Sequence, residues 1–208
     1  MGLLRTAIIG LASMMLSAGT ALAGPLHDAA AAGDLALMEK LVNAGADVNE
    51  RNASQETPLM AAALAGKAKA VDWLLIRRAD PLLRNDRGML ALHAGAIGGD
   101  NEVITLLLGD AHISGGGMKT LDDAENKFGV TPLIVAAEEN RGNLVASLAT
   151  YGADLEKAER HGYTALTRAF YHGHDEVVTI LLRMGAACQE IDPAWKVECE
   201  KRKTALGL

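Results

Sequence analysis

The chain has 208 residues, 50% hydrophobic by type but only 3% aromatic, and a formal net charge of −6. A single-core domain of this length ordinarily draws on aromatic volume, so the composition points instead to a stack of short helices packed on Ala, Leu and Val. An acidic chain with no basic stripe along its sequence excludes nucleic acid and anionic membrane from the expected partners.

Residues 1–23 have the layout of a cleavable secretory signal. Arg5 supplies a positive start, residues 7–17 are uncharged and mostly apolar, and Ala21-Leu22-Ala23 is a small-x-small site ahead of Gly24-Pro25. The apolar run falls short of the ~20 residues a membrane span needs, so no stable membrane insertion is expected after cleavage. No cysteine follows the site, which excludes lipid attachment there. Loss of Arg5 takes the mature chain to −7. The expected compartment is the bacterial periplasm, or the medium beyond the cell by the same signal.

The stretch TPLMAAALAG at residues 57–66 then recurs down the chain. Its leucine, Leu59, has counterparts at Leu26, Leu92, Leu133 and Leu166, spaced by 33, 33, 41 and 33 residues. Three residues after each comes Ala29, Ala62, Gly95, Ala136 or Ala169, and fifteen after it Leu41, Leu74, Leu107, Leu148 or Leu181. In the first copy an alanine-rich inner helix precedes an outer helix opened by Asp34 and ended at Gly45. Copy two starts at Thr57-Pro58, a hydroxyl cap with proline behind it. Its outer helix ends in Arg77-Arg78-Ala79-Asp80 rather than Gly-Ala-Asp, and Asn85-Asp86-Arg87-Gly88 forms a tight turn. Copy three lacks the threonine and proline and holds eight extra residues around Ser114-Gly115-Gly116-Gly117-Met118, either a tolerated surface insertion or a binding loop. Copies four and five restore the pattern with TPL at 131–133 and GHDEVVTILLRMGA at 173–186.

A period of 33 residues with Thr-Pro-Leu-His, paired alanines, Gly-His, a leucine run and Gly-Ala-Asp-Val-Asn resembles the ankyrin repeat. The resemblance covers residues 26–190. It implies an all-α ankyrin-like solenoid of about five helix-turn-helix repeats with short β-hairpin-like fingers. The repeats are expected near 24–56, 57–89, 90–130 (insertion around 111–121), 131–163 and 164–190, with a capping helix and tail at 191–208.

The far end carries its own signals. Where four copies have Ala30, Ala63, Ala96 and Ala137, the fifth has Phe170, with no sixth repeat to nest against. Asp192-Pro193 reads as a helix start, and Trp195, Cys199 and Leu206 share one helical side, with Lys201-Arg202-Lys203 facing water. Cys188 and Cys199 are the two cysteines of the chain. In an oxidising compartment they are expected to form a disulfide that clips the cap to repeat five.

Signs of catalysis are thin, and no cofactor or metal is expected. His27, His93 and His174 fall at positions that the resemblance assigns to structure. His161, His172 and His112 share no i, i+4 spacing, and no nucleophile elbow, phosphate loop or zinc signature is present. The resemblance implies a non-catalytic, monomeric protein-binding module that uses the concave surface of fingertips and exposed inner-helix positions. Those positions give the candidate partner-binding set: Arg87, Lys127, Phe128, Glu138, Arg160, His161, Tyr163, Arg168, Tyr171 and His172. The aromatic and arginine residues among them are the types that dominate binding energy. An enzyme inhibitor or immunity protein remains an alternative, as does a hydrolase or metal enzyme centred on His161, His172 and the glycine loop. Mass spectrometry of the exported chain should find Gly24 as its first residue; an intact Met1 would reject the signal.

Overall fold

The computed structural model describes residues 24–109, 126–190 and 193–208. The expected signal, the insertion with His112, and Asp192 lie outside the described residues. Among the described residues the regular elements are all helices: α1 Pro25–Ala32, α2 Leu35–Asn43, α3 Pro58–Leu64, α4 Ala68–Ile76, α5 Ala91–Gly98, α6 Asn101–Gly109, α7 Pro132–Glu138, α8 Gly142–Thr150, α9 Ala165–His172, α10 Asp175–Arg183 and α11 Pro193–Ala205. The odd-numbered helices α1 to α9 pack in sequence as an inner row, and α2 to α10 as an outer row. This is the all-helical solenoid that the period predicts.

Side-chain caps set five of the helix starts. Thr57, Thr131 and Thr164 accept the N–H of Met60, Ile134 and Thr167 on their hydroxyls, at 3.3, 3.3 and 3.4 Å. Asp34 and Asp100 cap α2 and α6 in the same way through Leu37 and Val103. Arg78 ends α4 with φ 65°, the left-handed turn that glycine takes after α2, α8 and α10. The Arg77-Arg78 departure therefore keeps the turn and carries some strain in it.

Small residues let the inner helices lie close together. Ala29, Ala30, Ala62, Ala63, Ala96, Ala136, Ala137 and Ala169 are buried along the inner row. Between α3 and α5 the approach is so close that a Cβ on Gly98 would lie 2.6 Å from the Leu64 carbonyl oxygen and 2.7 Å from that of Ala63. Leucines at the fifteenth position from the marker fill the space between rows, with Leu74, Leu107, Leu148 and Leu181 fully buried.

Among the described residues the fingers close as hairpin-like turns without a strand ladder. Asn52, Asn85 and Asn126 accept two backbone N–H groups each: those of Ser54 and Glu56, Arg87 and Met89, Phe128 and Val130. Successive tips are joined by backbone bonds from Asp86 N–H to Ser54 O, Lys127 to Arg87, and Arg160 to Phe128.

At the last repeat Phe170 lies 4.4 Å from the Trp195 ring, centroid to centroid, so α11 covers the open end. Trp195 and Cys199 are buried beneath it. The Cα atoms of Cys188 and Cys199 are 5.8 Å apart, the separation a bridge requires. Lys201 faces water; Arg202 is partly exposed, pairs with Asp175 and Glu198 and lies 5.2 Å above the Phe170 ring. Its long stem covers the aromatic end while the guanidinium reaches carboxylates on both sides.

His93 shows how the polar positions are used. The Leu90 N–H donates to Nδ1 at 3.2 Å, so the ring proton sits on Nε2 and is donated to Val130 O at 3.0 Å. Both nitrogens are satisfied only in the neutral ring. Burial, with Arg84 adding to it, lowers the His93 pKa to about 4, against the pull of the Val130 hydrogen bond. The unfolded chain takes up this proton near pH 6.5 and the folded chain only near 4, so the stabilisation is intact above 6.5 and lost as pH falls towards 4. The loss amounts to about 3 kcal/mol at 1.36 kcal/mol per unit. His93→Gln keeps a donor and an acceptor but cannot titrate. Urea unfolding at a series of pH values should therefore show a shallower acid loss in His93→Gln than in the natural chain; parallel curves would contradict the assignment.

Candidate binding face

The fingertips and inner helices of repeats four and five bring most of the predicted residues together. Lys127 and Phe128 stand at the fourth fingertip and Arg160 and His161 at the fifth, all exposed, with Arg87 on the tip before them. The tip-to-tip backbone bonds hold them in register. Below the tips, Tyr171 on α9 meets Tyr163 edge to face with centroids 5.7 Å apart. Phe128 is 41% and Tyr171 40% exposed, so two large apolar groups face solvent on this side. Tyr163 is half-buried between Tyr171 and Arg168, whose guanidinium carbon lies 5.2 Å from its ring centre.

Two residues expected at the surface are interior. Arg168 is 5% and Glu138 9% exposed. Both sit at positions where other repeats have Asp28, Ala61, Ala94 and Val135, or Ala31, Leu64, Ile97 and Tyr171. Here Arg168 lies against the Tyr163 ring and Glu138 lies 3.9 Å from His172 instead of reaching outward. Arg168 ion-pairs with Glu159, Nη2 to Oε1 at 3.4 Å, and the Glu159 carboxylate is wholly buried. The other Glu159 oxygen accepts from the His161 N–H at 3.1 Å and contacts His161 Nδ1 at 2.8 Å. Neither Glu138 nor Arg168 is offered to a partner as a free side chain.

Glu159 was not among the predicted residues, although a signal for it existed. It occupies the finger position of Asn52, Asn85 and Asn126, and like them accepts a backbone N–H two residues on. A charged residue in a register of amides, nine residues before an arginine, pointed to a buried pair beneath the fifth finger.

The surrounding titration follows from this burial. Glu138 is raised above the usual carboxylate range by loss of water and by Glu159, with Arg168 and His174 pulling the other way. Glu139 is raised by partial burial and by Glu138. His172 is lowered by burial, His174 and Arg168, and lies 3.9 Å from Glu138. It also stacks on His174 at 5.6 Å. His174 donates to the Glu138 carbonyl at 2.8 Å, as Arg141 does to Ile97 one repeat earlier at 3.0 Å. These two side chains thus tie the ends of α5 and α7 to the next repeat. His27 makes a comparable tie to Glu56 O at 2.9 Å. Among the described residues no cluster of His, Cys, Asp and Glu could hold a metal ion, and no helix is long and apolar enough to cross a membrane.

Residues 26–116 and 112–192 match the family model for ankyrin repeats, a model of three copies. The chain belongs to the ankyrin-repeat family. Among its relatives, human transient receptor potential cation channel subfamily A member 1 is 33% identical over 163 residues, 77% of this chain and 14% of the channel. A probable E3 ubiquitin-protein ligase XBOS33 of Oryza sativa is 33% identical over 168 residues, 78% of this chain and 31% of the ligase. Protein glp-1 of Caenorhabditis elegans is 29% identical over 188 residues, 81% and 14% respectively. The chain therefore spans less than a third of each of these relatives.

The ankyrin framework makes the buried pair a support for the face and predicts its cost. Arg168→Ala leaves the Glu159 carboxylate buried without its cation and should destabilise the fold by roughly 3 kcal/mol or more. Changing both partners, Glu159→Gln with Arg168→Met, should recover much of that loss. Urea midpoints of the three chains test this; an Arg168→Ala midpoint equal to that of the natural chain would contradict it.

Proposed function

We propose that this ankyrin stack is an exported, non-catalytic protein-binding module whose working surface is the finger and inner-helix face of repeats three to five. The observation that carries the reading is the exposure of Phe128 and Tyr171 on one side of neighbouring repeats. Their positions are held by tip-to-tip backbone bonds and by the Tyr163 and Arg168 contacts. Rigid aromatic groups lose little entropy on binding and bury large areas, so they suit the centre of an interface. Lys127 and Arg160 beside them would set orientation and association rate more than strength.

The relatives share with this chain a repeat segment only, so channel or ligase activity does not transfer to it. Export is supported by the arrangement of residues 1–23. The approach of Cys188 and Cys199 is consistent with it, since an oxidising compartment would close a bridge that ties α11 to repeat five. Closing so short a loop contributes about 3 kcal/mol in the chain-entropy view.

Photo-crosslinking in the producing cell tests the surface. A photoreactive residue at position 128 or 171 should yield a discrete protein adduct, and one at 69 or 176 on the outer helices should not. Adducts from 69 and 176 with silence at 128 and 171 would overturn the assignment.

A further inference from the structure

The last repeat junction holds a polar pair that the stack leaves open. Where α7 meets α9, Glu138 Oε1 lies 3.9 Å from His172 Nε2, beyond hydrogen-bond length. The Nε2 atom is shut off from water and makes no hydrogen bond. With the proton of the neutral ring on Nδ1, Nε2 and the carboxylate are two acceptors facing each other. A buried polar atom without a partner is costly, so the contact calls for one proton between them. At the same register the earlier junctions have Ala31 and Ala65, Leu64 and Gly98, and Ile97 and Glu139. A facing pair of titratable groups is therefore particular to the junction of repeats four and five.

We propose that Glu138 and His172 form a proton-operated latch between these repeats: a proton taken up by the Glu138 carboxyl is donated to His172 Nε2 and ties α7 to α9. The inference rests on the binding-face reading for its consequence, because α9 also carries Tyr171, and the latch would order that part of the face in mild acid. His174 Nε2 already donates to the Glu138 carbonyl at 2.8 Å, which fixes the backbone at this corner. Side-chain movement of about 1 Å then closes the pair.

The surroundings favour this placement of the proton. Burial raises the Glu138 carboxyl above its ordinary range, and Glu159 adds to this against Arg168 and His174. Burial, His174 and Arg168 lower His172 against the pull of Glu139, so the ring stays neutral and keeps a lone pair to accept. Glu139 is itself raised by partial burial and Glu138, against Arg141, His172 and His174. Of the other helices packed here, α8 has no titratable side chain and α5 has His93, bound to Leu90 and Val130. On α10 Asp175 pairs with Arg202, and Glu176 and Arg183 are exposed. The closed pair holds one proton more than the open one, so falling pH favours it. A raised carboxyl contributes stability that is complete below its ordinary value of 4.5 and lost as pH rises through the raised one. The lowered His172 works in the opposite sense below its ordinary value of 6.5, so the comparison must keep His172 and vary position 138.

Amide-exchange protection factors of the chain without a partner provide the test, separately from whether the face binds. Glu138→Gln places a permanent donor where the protonated carboxyl would stand. Glu138→Leu, copying Leu64 of repeat two, offers none. At about pH 7.5 residues 168–172 of the natural chain should be protected no better than in Glu138→Leu, and roughly threefold or more less than in Glu138→Gln. At about pH 5 the natural chain should match Glu138→Gln, with Ala68–Ile76 alike in all three chains. Glu139→Gln should switch as the natural chain does. The same ranking of the chains at both pH values, equal protection in Glu138→Leu and Glu138→Gln, or loss of the switch in Glu139→Gln would each overturn the proposal. The approach of the natural chain to Glu138→Gln as pH falls decides the matter even if Glu138→Leu fails to fold. A chain that does not switch yet crosslinks at 128 and 171 would reject the latch and keep the face.

Discussion

Everything in this molecule depends on how closely one inner helix can lie against the next. That distance is set by side chains of one carbon or none, repeated at the same register from Ala29 to Ala169. Where α3 meets α5 even a methyl group on Gly98 would strike backbone oxygen. Close packing of this kind is intolerant of added volume, and each repeat contacts only its neighbours. The same spacing places the fingertips near enough to exchange backbone hydrogen bonds, so a constraint buried in the inner row becomes a regular outer edge. At the end of the row the constraint is lifted, and Phe170 fills the vacant place under Trp195.

Polar groups inside the stack obey a second rule: a buried donor or acceptor needs a partner. The partners lie largely across repeat boundaries. His93 links its helix to the Val130 carbonyl, while Arg141 and His174 reach back to Ile97 and Glu138. Such bonds contribute modestly when made but cost more when one side is removed. They consequently favour one relative placement of the repeats. The Glu159–Arg168 pair extends that rule to charge. It supports the aromatic surface formed by Tyr163 and Tyr171 without itself meeting solvent.

The sequence showed the helices, their order and the capped end because those features recur, and recurrence is imposed by packing. Leu59 and its counterparts, the threonine caps and the Phe170 exception could each be read from one register. The face was less legible. Phe128 and Tyr171 are exposed as their positions imply, but Glu138 and Arg168 are not, because a pattern letter says where a side chain starts and not what covers it. Glu159 escaped notice since its role is carried by asparagine in the preceding fingers.

The central claim is that recognition occurs across fingertips and inner helices while the outer row serves as scaffold. Amide hydrogen exchange of the chain, alone and with its crosslinked partner bound, measures this directly. Protection should rise in residues 126–130 and 159–163 and along Ala165–His172, with Ala68–Ile76 and Asp175–Arg183 unchanged. Protection confined to the outer helices, with the fingers exchanging as before, would contradict it.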